Sequence, residues 1–219
     1  MNKEKIRKLS YTCNDDSRSK CLDKKWQKVK SKLVNKKNFD FEKRAENLLD
    51  IKKILDELEI PFFLTHGALL GAVRENDFIK HDDDIDLDIF EEIFLSNYNV
   101  ICEKLIEAGF VVRGRDIKYR GTPGDKINLY RHGEKVNIRG IYLDPNYENG
   151  EYRLTNVFQY PIKFHKNPGT IFFKGVTFMT PGPIDEFIEF CFGKEWRIPV
   201  NKTKEEKVKG IKRGVRRSF

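Results

Sequence analysis

The sequence predicts an α+β fold in which helices flank a β-sheet, and three observations support this prediction. Apolar residues recur at helical spacing from Phe41 to Ile60 and again over about residues 93 to 108. Residues 84 to 89 alternate aspartate with isoleucine or leucine, which is the period-two pattern of a half-buried strand. Beyond residue 109, short β-type runs separated by turn residues predict further strands.

The first half of the chain is predicted in the order helix, strand, glycine turn, short helix, strand, helix, strand. An apolar strand beginning at Phe62 leads into a glycine turn over residues 65 to 68. The helix that starts near residue 93 should end at Gly109, because glycine terminates helices readily. Residues 110 to 113 then form the next strand.

Two hairpins and a turn cluster are predicted in the second half. Strands over residues 126 to 130 and 135 to 142 flank a turn that contains His132, which we therefore interpret as a turn residue. Residues 144 to 150 carry a strong cluster of turn residues. A second hairpin is predicted over Ile171 to Thr180, around the Lys174-Gly175 pair.

The acidic run is the clearest candidate for chemistry, since five aspartates lie within seven residues: Asp82, Asp83, Asp84, Asp86 and Asp88. Alternate residues of a strand share a face, so Asp84, Asp86 and Asp88 should line one face of the sheet. Neighbours two apart lie roughly 6.6 Å from one another and can share one divalent cation, whereas Asp84 and Asp88 are about 13 Å apart and cannot. Carboxylate oxygens suit Mg²⁺.

We therefore predict Asp84 and Asp86 as the pair that binds Mg²⁺ or Mn²⁺. Asp88 would be peripheral, on a second ion or a basic side chain. The alternative is an acidic loop that leads into an edge strand without binding a metal.

A glycine turn, a short helix and a strand with an Asp-hydrophobic-Asp motif are similar to the nucleotidyltransferase superfamily. Within it, the segments Gly67 to Arg74, Phe78-Ile79 and Asp82 to Asp86 resemble the LicD family, which includes bacterial phosphocholine transferases. Fukutin and fukutin-related protein share this signature. The resemblance extends over roughly residues 41 to 200, including the closing segment 187 to 196. It implies a nucleotidyltransferase-type mixed β-sheet with flanking helices.

The resemblance also implies a phosphate-binding turn, whose backbone N–H groups at Gly67 and Ala68 would face the nucleotide. Gly71, Arg74 and His81 are further candidates for contact with the nucleotide or its phosphates. Arg74 could instead pair with an aspartate of the acidic run, and His81 could form an ordinary ion pair.

Three departures from the family pattern bear on the site. Ala68 stands where many relatives carry threonine or serine, and His81 where tryptophan is frequent. The family usually supplies a third acid from a later strand, and this chain offers Asn137 or, with a slipped register, Asp144. If neither completes the site, the general base is missing.

The LicD resemblance implies a metal-dependent transferase that moves a phospho-alcohol, either phosphocholine or a polyol phosphate, from a CDP-linked donor. The acceptor would be a hydroxyl of a cell-surface glycan precursor, which could be lipid-linked, and Asp84 and Asp86 would be the catalytic residues. One alternative is a nucleotidyltransferase acting on RNA or a small molecule; another is a degenerate, non-catalytic nucleotide-binding relative. Nothing after residue 200 reads as a separate helical RNA-binding domain, so nucleic acid is not an expected partner.

Charge divides the chain into three predicted parts. Residues 1–37 form a basic N-terminal extension with 13 Lys/Arg against 4 Asp/Glu, and residues 201–219 a basic tail with 8 against 2. Residues 38–200, the predicted catalytic domain, then carry a net charge of −7 within a chain total of +8. The basic ends suit peripheral contact with an anionic membrane, or simply confer solubility.

Compartment is predicted from what the sequence lacks. The 4 cysteines form no C-x-x-C pair, which favours reduced thiols and argues against a zinc site. No apolar run is long enough to span a bilayer, and residues 1 to 10 lack a secretory h-region. We therefore expect a cytoplasmic protein, and its basic ends favour a peripheral position at the inner membrane face.

Overall fold

The computed structural model describes residues 2, 4–6, 32–33, 39–114, 126–143, 151–154 and 158–199. The helices within these ranges are α1 (Phe41–Glu57), α2 (His66–Arg74), α3 (Glu91–Ser96), α4 (Tyr98–Glu107), α5 (Lys163–Lys166) and α6 (Ile184–Phe192). The strands are β1 (Phe63–Thr65), β2 (Ile85–Phe90), β3 (Val111–Gly114), β4 (Lys126–Arg131), β5 (Glu134–Leu143), β6 (Glu151–Leu154), β7 (Phe158–Pro161), β8 (Gly169–Phe173) and β9 (Val176–Thr180). The chain divides into two compact units, residues 1–61 with 83–140 and residues 62–82 with 141–219.

The first unit contains a mixed sheet in the strand order β2-β5-β4-β3. β4 pairs antiparallel with both β5 and β3, through the registers Asn128↔Asn137 and Tyr130↔Val111. β2 and β5 run parallel, because side-chain contacts advance together along both strands: Asp84 contacts Asn137, and Asp88 contacts Arg139. The predicted α+β class with a mixed sheet and flanking helices is therefore confirmed.

The core of this unit lies between the sheet and helices α1 and α4. Leu48, Ile51 and Leu55 of α1 and Ile101 and Leu105 of α4 are fully buried. The α1 helix begins at Phe41, where the carboxylate of Asp40 accepts a hydrogen bond from the backbone N–H of Lys43 at 3.0 Å.

The prediction of one continuous helix over residues 93 to 108 is wrong, because the structure has two helices, α3 and α4, that meet at Asn97. The Asn97 side chain donates to the carbonyl of Ile93 at 2.9 Å, and its backbone has φ −109° and ψ 5°. Asparagine competes with helical backbone hydrogen bonding in this way, so the helix breaks although the apolar spacing continues. The predicted end of the helix at Gly109 is confirmed, because Gly109 follows α4 and has a φ of +92°.

Both predicted hairpins are confirmed. β4 and β5 pair around a turn in which His132 has φ 55°, and its imidazole lies 3.2 Å from Glu46. β8 and β9 pair around Lys174 and Gly175, with φ values of 50° and 86°. The predicted turn at 144–150 lies outside the described residues.

The second unit is built around aromatic side chains. β1 packs on the β8–β9 hairpin, and α2 packs on α6. The fully buried aromatics in this unit include Phe63, Phe78, Phe164, Phe173, Phe178 and Phe187. The closing helix α6 starts at Ile184, three residues before the start of the matching sequence segment, and ends before Gly193 with φ +87°.

The predicted three-part division of the chain stays a prediction. Almost all of residues 1–37 and all of residues 201–219 lie outside the described part of the chain. Of the extension, Ile6 is buried against Val111 and Tyr130 in the first unit. Within the described ranges, no helix has the length and apolarity needed to cross a membrane.

His165 should make the protein less stable in acid. This imidazole is 4 % exposed and packs against the rings of Phe63 and Phe187, at 5.1 and 6.4 Å between centroids. Burial lowers the pKa of His165 from 6.5 to about 4. The unfolded chain therefore binds more protons than the native state between these values. We expect no destabilisation from this residue above about pH 6.5. As the pH falls to about 4, the free energy of unfolding should fall by about 3 kcal/mol.

Urea unfolding of the wild type and of His165→Phe across pH 4 to 8 measures this effect. The difference between the two free energies of unfolding should change by about 3 kcal/mol over the acidic range. Parallel pH profiles would contradict the prediction.

Candidate functional site

The three predicted carboxylates share one face of the sheet in the first unit. Ile85, Leu87 and Ile89 of β2 are fully buried in the core, and the intervening aspartates contact polar side chains of β5. The register of β4 against β5 adds the cross-strand pairs Lys126↔Arg139, Asn128↔Asn137 and Tyr130↔Lys135 to the same face. We call this set the carboxylate face: Asp84, Asp86, Asp88, Lys126, Asn128, Tyr130, Lys135, Asn137 and Arg139.

Asn137 bridges the predicted metal pair. Its Nδ2 donates to Asp84 Oδ2 and to Asp86 Oδ1, both at 2.8 Å, and the residue is 1 % exposed. Its Oδ1 is buried and has no hydrogen-bond partner among the described residues. Asn137 therefore lies beside the metal pair, at one of the two positions predicted for the third acid. Its amide cannot accept a proton as a carboxylate would. Asp144, the other candidate, lies outside the described residues.

Two basic side chains of β5 neutralise the aspartates. Lys135 Nζ lies 2.5 Å from Asp84 Oδ2. The guanidinium of Arg139 contacts Asp86 Oδ2 through Nη1 at 3.1 Å and Asp88 Oδ1 through Nε at 2.9 Å. Of the two alternatives predicted for Asp88, the structure shows the basic side chain.

These contacts favour the charged forms of Asp86 and Lys135. Burial alone would raise the pKa of Asp86, but the charges of Arg139 and Lys126 and the hydrogen bond from Asn137 lower it below its usual value. Burial opposes the charge of Lys135 as well, yet Asp84 raises the pKa of Lys135 above its usual value. Burial lowers the pKa of Lys126 from 10.5 to about 8.

Lys126, Lys135 and Arg139 were missed as functional candidates from the sequence. Their signal is the period-two spacing along the predicted hairpin, which puts Lys135, Asn137 and Arg139 on one face of β5. Nothing in that spacing says which face meets the aspartates.

The residues present suit a hard divalent cation. Along the acidic run, one carboxylate oxygen of Asp83 lies within 4.8 Å of one of Asp84. The donor set is made of oxygens only, and the buried Oδ1 of Asn137 adds a neutral oxygen beside Asp84 and Asp86. Such ligands favour Mg²⁺ or Mn²⁺ over zinc or copper.

The predicted glycine turn is the start of α2 in the second unit. Thr65 precedes the helix in extended conformation without a side-chain cap, and His66 has φ 52°, with Nε2 2.9 Å from the hydroxyl of Tyr160. A Cβ built on Gly67 would lie 1.7 Å from Asp82 Oδ2, so only glycine fits beside that carboxylate. The anionic group near the start of this helix is thus Asp82.

The remaining phosphate-binding candidates have structural neighbours of their own. Ala68 is buried, and a Cβ built on Gly71 would lie 2.5 Å from the carbonyl of Asp77, so Gly71 has a packing role. Arg74 contacts Glu75 Oε1 through Nη2 at 2.5 Å and the carbonyl of Trp196 through Nη1 at 3.2 Å. Arg74 thus pairs with Glu75 in the structure, and its contact with phosphate stays a prediction. His81 is exposed.

Comparison with known proteins identifies the family. The profile of the family described as LicD/FKTN/FKRP, nucleotidyltransferase domain, matches residues 59–182, more than half of the chain. The ribitol-5-phosphate transferase FKTN of Macaca fascicularis is 29 % identical over 167 residues, which cover 73 % of this chain and 34 % of that protein. The human protein of the same name is 28 % identical over the same shares. The chain thus spans about a third of the length of these relatives.

Among solved structures, the antibiotic-resistance factor ANT(2″)-Ia is similar with a TM-score of 0.48 and 16 % identity, over 77 % of this chain and 80 % of that one. The family match includes the glycine turn and the acidic run, which carry the resemblance, and it also covers Asn137. The chain belongs to the LicD/FKTN/FKRP nucleotidyltransferase-domain family.

Proposed function

We propose that this chain is a metal-dependent transferase that moves a phospho-alcohol from a CDP-linked donor to a hydroxyl of a glycan precursor. The observation that carries the proposal is the Asp84–Asp86 pair, bridged by Asn137 on a sheet face. Family membership supports the reaction class. The relatives are named ribitol-5-phosphate transferases, which favours a polyol phosphate over phosphocholine as the transferred group.

Asp84 and Asp86 are the residues that would hold Mg²⁺ or Mn²⁺, and the ion would neutralise charge on the donor's phosphate oxygens. In the transfer, the acceptor oxygen bonds to the phosphorus that carries the alcohol. The bond from that phosphorus to CMP breaks, and CMP leaves with the electron pair. Phosphoryl transfer asks the protein mainly for position and charge, and the carboxylate of Asp86 is the described group suited to take the hydroxyl proton.

Gly67 and Ala68 at the start of α2 stay candidates for phosphate contact, as the family resemblance implies. The start of α2 at Gly67 and Ala68 lacks a side-chain cap, and helix N-termini attract anionic groups. Gly71, Arg74 and His81 stay candidates. Of these, His81 is exposed, whereas Arg74 is engaged by Glu75 and Trp196.

A degenerate, non-catalytic relative is the second candidate, because one observation favours it. Asn137 occupies the position where a third acid was predicted, and an amide is not a general base. Peripheral contact of the basic ends with an anionic membrane at the cytoplasmic face is a further proposal, supported by their charge alone.

Thermal stabilisation by a nucleotide panel, with and without Mg²⁺, tests the proposal. The panel contains CDP-ribitol, CDP-glycerol, CDP-choline, CMP, CTP, ATP and UDP-glucose. A ligand at 100 times its Kd adds about 2.7 kcal/mol, which shifts the melting temperature measurably. We expect Mg²⁺-dependent stabilisation by one CDP-alcohol, with CDP-ribitol ahead of CDP-choline, and CMP release when a glycan acceptor is added.

Other outcomes separate the alternatives. Preference for CTP or ATP would indicate nucleotidyl transfer. Stabilisation by a CDP-alcohol without CMP release on any acceptor tested would favour the non-catalytic relative. UDP-glucose is the control for nonspecific stabilisation by sugar nucleotides.

A further inference from the structure

Lys126 is a partly buried cation on the carboxylate face, and no described carboxylate forms an ion pair with it. It is the first residue of β4, and its cross-strand neighbour is Arg139 of β5. Among the described residues, no carboxylate oxygen lies within 4.0 Å of its ammonium, in contrast to Lys135 and Arg139. Its ammonium, with three N–H donors, thus has no carboxylate partner among these residues.

The charges around Lys126 explain why it is unsatisfied. The aspartates of the face are already engaged by the cations of β5: Asp84 by Lys135, and Asp86 and Asp88 by Arg139. Lys135 and Arg139 repel the charge of Lys126, while Asp86 and Asp84 attract it from a distance. A divalent cation at Asp84 and Asp86 would offset that attraction and leave this part of the face with excess positive charge.

We propose that Lys126 binds a phosphate oxygen of the donor's diphosphate, beside the Asp84–Asp86 pair. This inference rests on the proposed function for the identity of the ligand. An ammonium is a compact charge that suits phosphate oxygens, and a diphosphate supplies both the acceptor and the negative charge missing at Lys126. The buried Oδ1 of Asn137 also lacks a partner among the described residues, and an acceptor oxygen of this kind suits the divalent cation that would accompany a diphosphate.

A structural role predicts the opposite behaviour for Lys126. A lysine that stabilises the fold through an ion pair destabilises the protein when neutralised. Lys126 forms no ion pair with a described carboxylate, so Lys126→Gln should melt at about the temperature of the wild type. The affinity of Lys126→Gln for phosphate groups should fall instead.

Calorimetric titration of the full chain in saturating Mg²⁺ tests the proposal, with CDP, inorganic pyrophosphate and cytidine as probes. For Lys126→Gln we expect affinity for CDP and pyrophosphate to fall about tenfold or more, with affinity for cytidine unchanged. Lys126→Arg should retain most of the affinity, because it keeps the charge. Lys53→Gln, at an exposed lysine of α1, should bind like the wild type.

Unchanged affinity of Lys126→Gln for CDP and pyrophosphate would overturn the proposal, as would a wild type that binds neither probe. Failure of the proposed function looks different. If pyrophosphate binds and its binding depends on Lys126, but no CDP-alcohol releases CMP, then the anion site is supported and the proposed transferase activity is rejected. If CMP is released, and Lys126→Gln changes neither the KM for the donor nor the Kd for pyrophosphate, then the transferase activity is supported and the anion site is rejected.

Discussion

Asp86→Asn is expected to lower the rate of CMP release by roughly 10²–10³-fold, the range seen when one group that stabilises transition-state charge is removed. The substitution keeps the shape of the side chain and removes the negative charge that a divalent cation needs. Mg²⁺-dependent stabilisation by the donor should disappear as well. Steady-state release of CMP and the melting shift with donor and Mg²⁺ measure the two effects.

Asp88→Asn is the matched control, since it makes the same chemical change two residues along the same strand. Asp88 is 1 % exposed and pairs with Arg139, so the control should lose stability but keep Mg²⁺-dependent donor binding. Equal loss of donor binding in both variants would show that Asp86 has no special role. Full activity of Asp86→Asn would overturn the assigned metal pair.

Arg44→Met is expected to lower the free energy of unfolding by about 3–5 kcal/mol, the cost of breaking a buried ion pair from one side. Arg44 and Glu134 are each 1 % exposed. The guanidinium contacts Glu134 Oε2 through Nε at 2.7 Å and Nη2 at 2.6 Å. Without Arg44, the buried carboxylate keeps a hydrogen bond from the backbone N–H of Asp40 at 2.9 Å. Urea unfolding measures the change.

Two comparisons make this prediction specific. The double variant Arg44→Met with Glu134→Gln should recover much of the loss, because it leaves no uncompensated buried charge. Lys53→Met, which breaks an exposed pair with Glu57, should cost less than about 1 kcal/mol. A loss for Arg44→Met no larger than that for Lys53→Met would contradict the argument.

Patterns within a single element were predicted well. The alternation at residues 84 to 89 identified β2 and its buried face, and both hairpins were identified by their turn residues. Strand period and turn chemistry depend on neighbouring residues, so they can be recognised without the fold. The break at Asn97 was missed because apolar spacing does not register a side-chain bond to the carbonyl of Ile93.

The candidate site was predicted only in part. Asp84, Asp86 and Asn137 lie together as expected, and Asp88 has the basic partner that was one of its two alternatives. The partner of Arg74 was not foreseen, since Glu75 is its immediate neighbour and lies outside the acidic run. Gly67 was expected to contact phosphate. In the structure, glycine is required there because a Cβ would collide with the carboxylate of Asp82.

The sequence by itself determined the family, the acidic strand and the residues of that strand that could bind a cation. These follow from order, spacing and period along one short segment. Only the tertiary structure decided which charges meet them, because Lys135 lies 51 residues from Asp84 and Arg139 lies 51 residues from Asp88. The parallel register of β5 against β2 selects these cations and leaves Lys126 on the same face without a carboxylate among the described residues. That register is a property of the packed sheet.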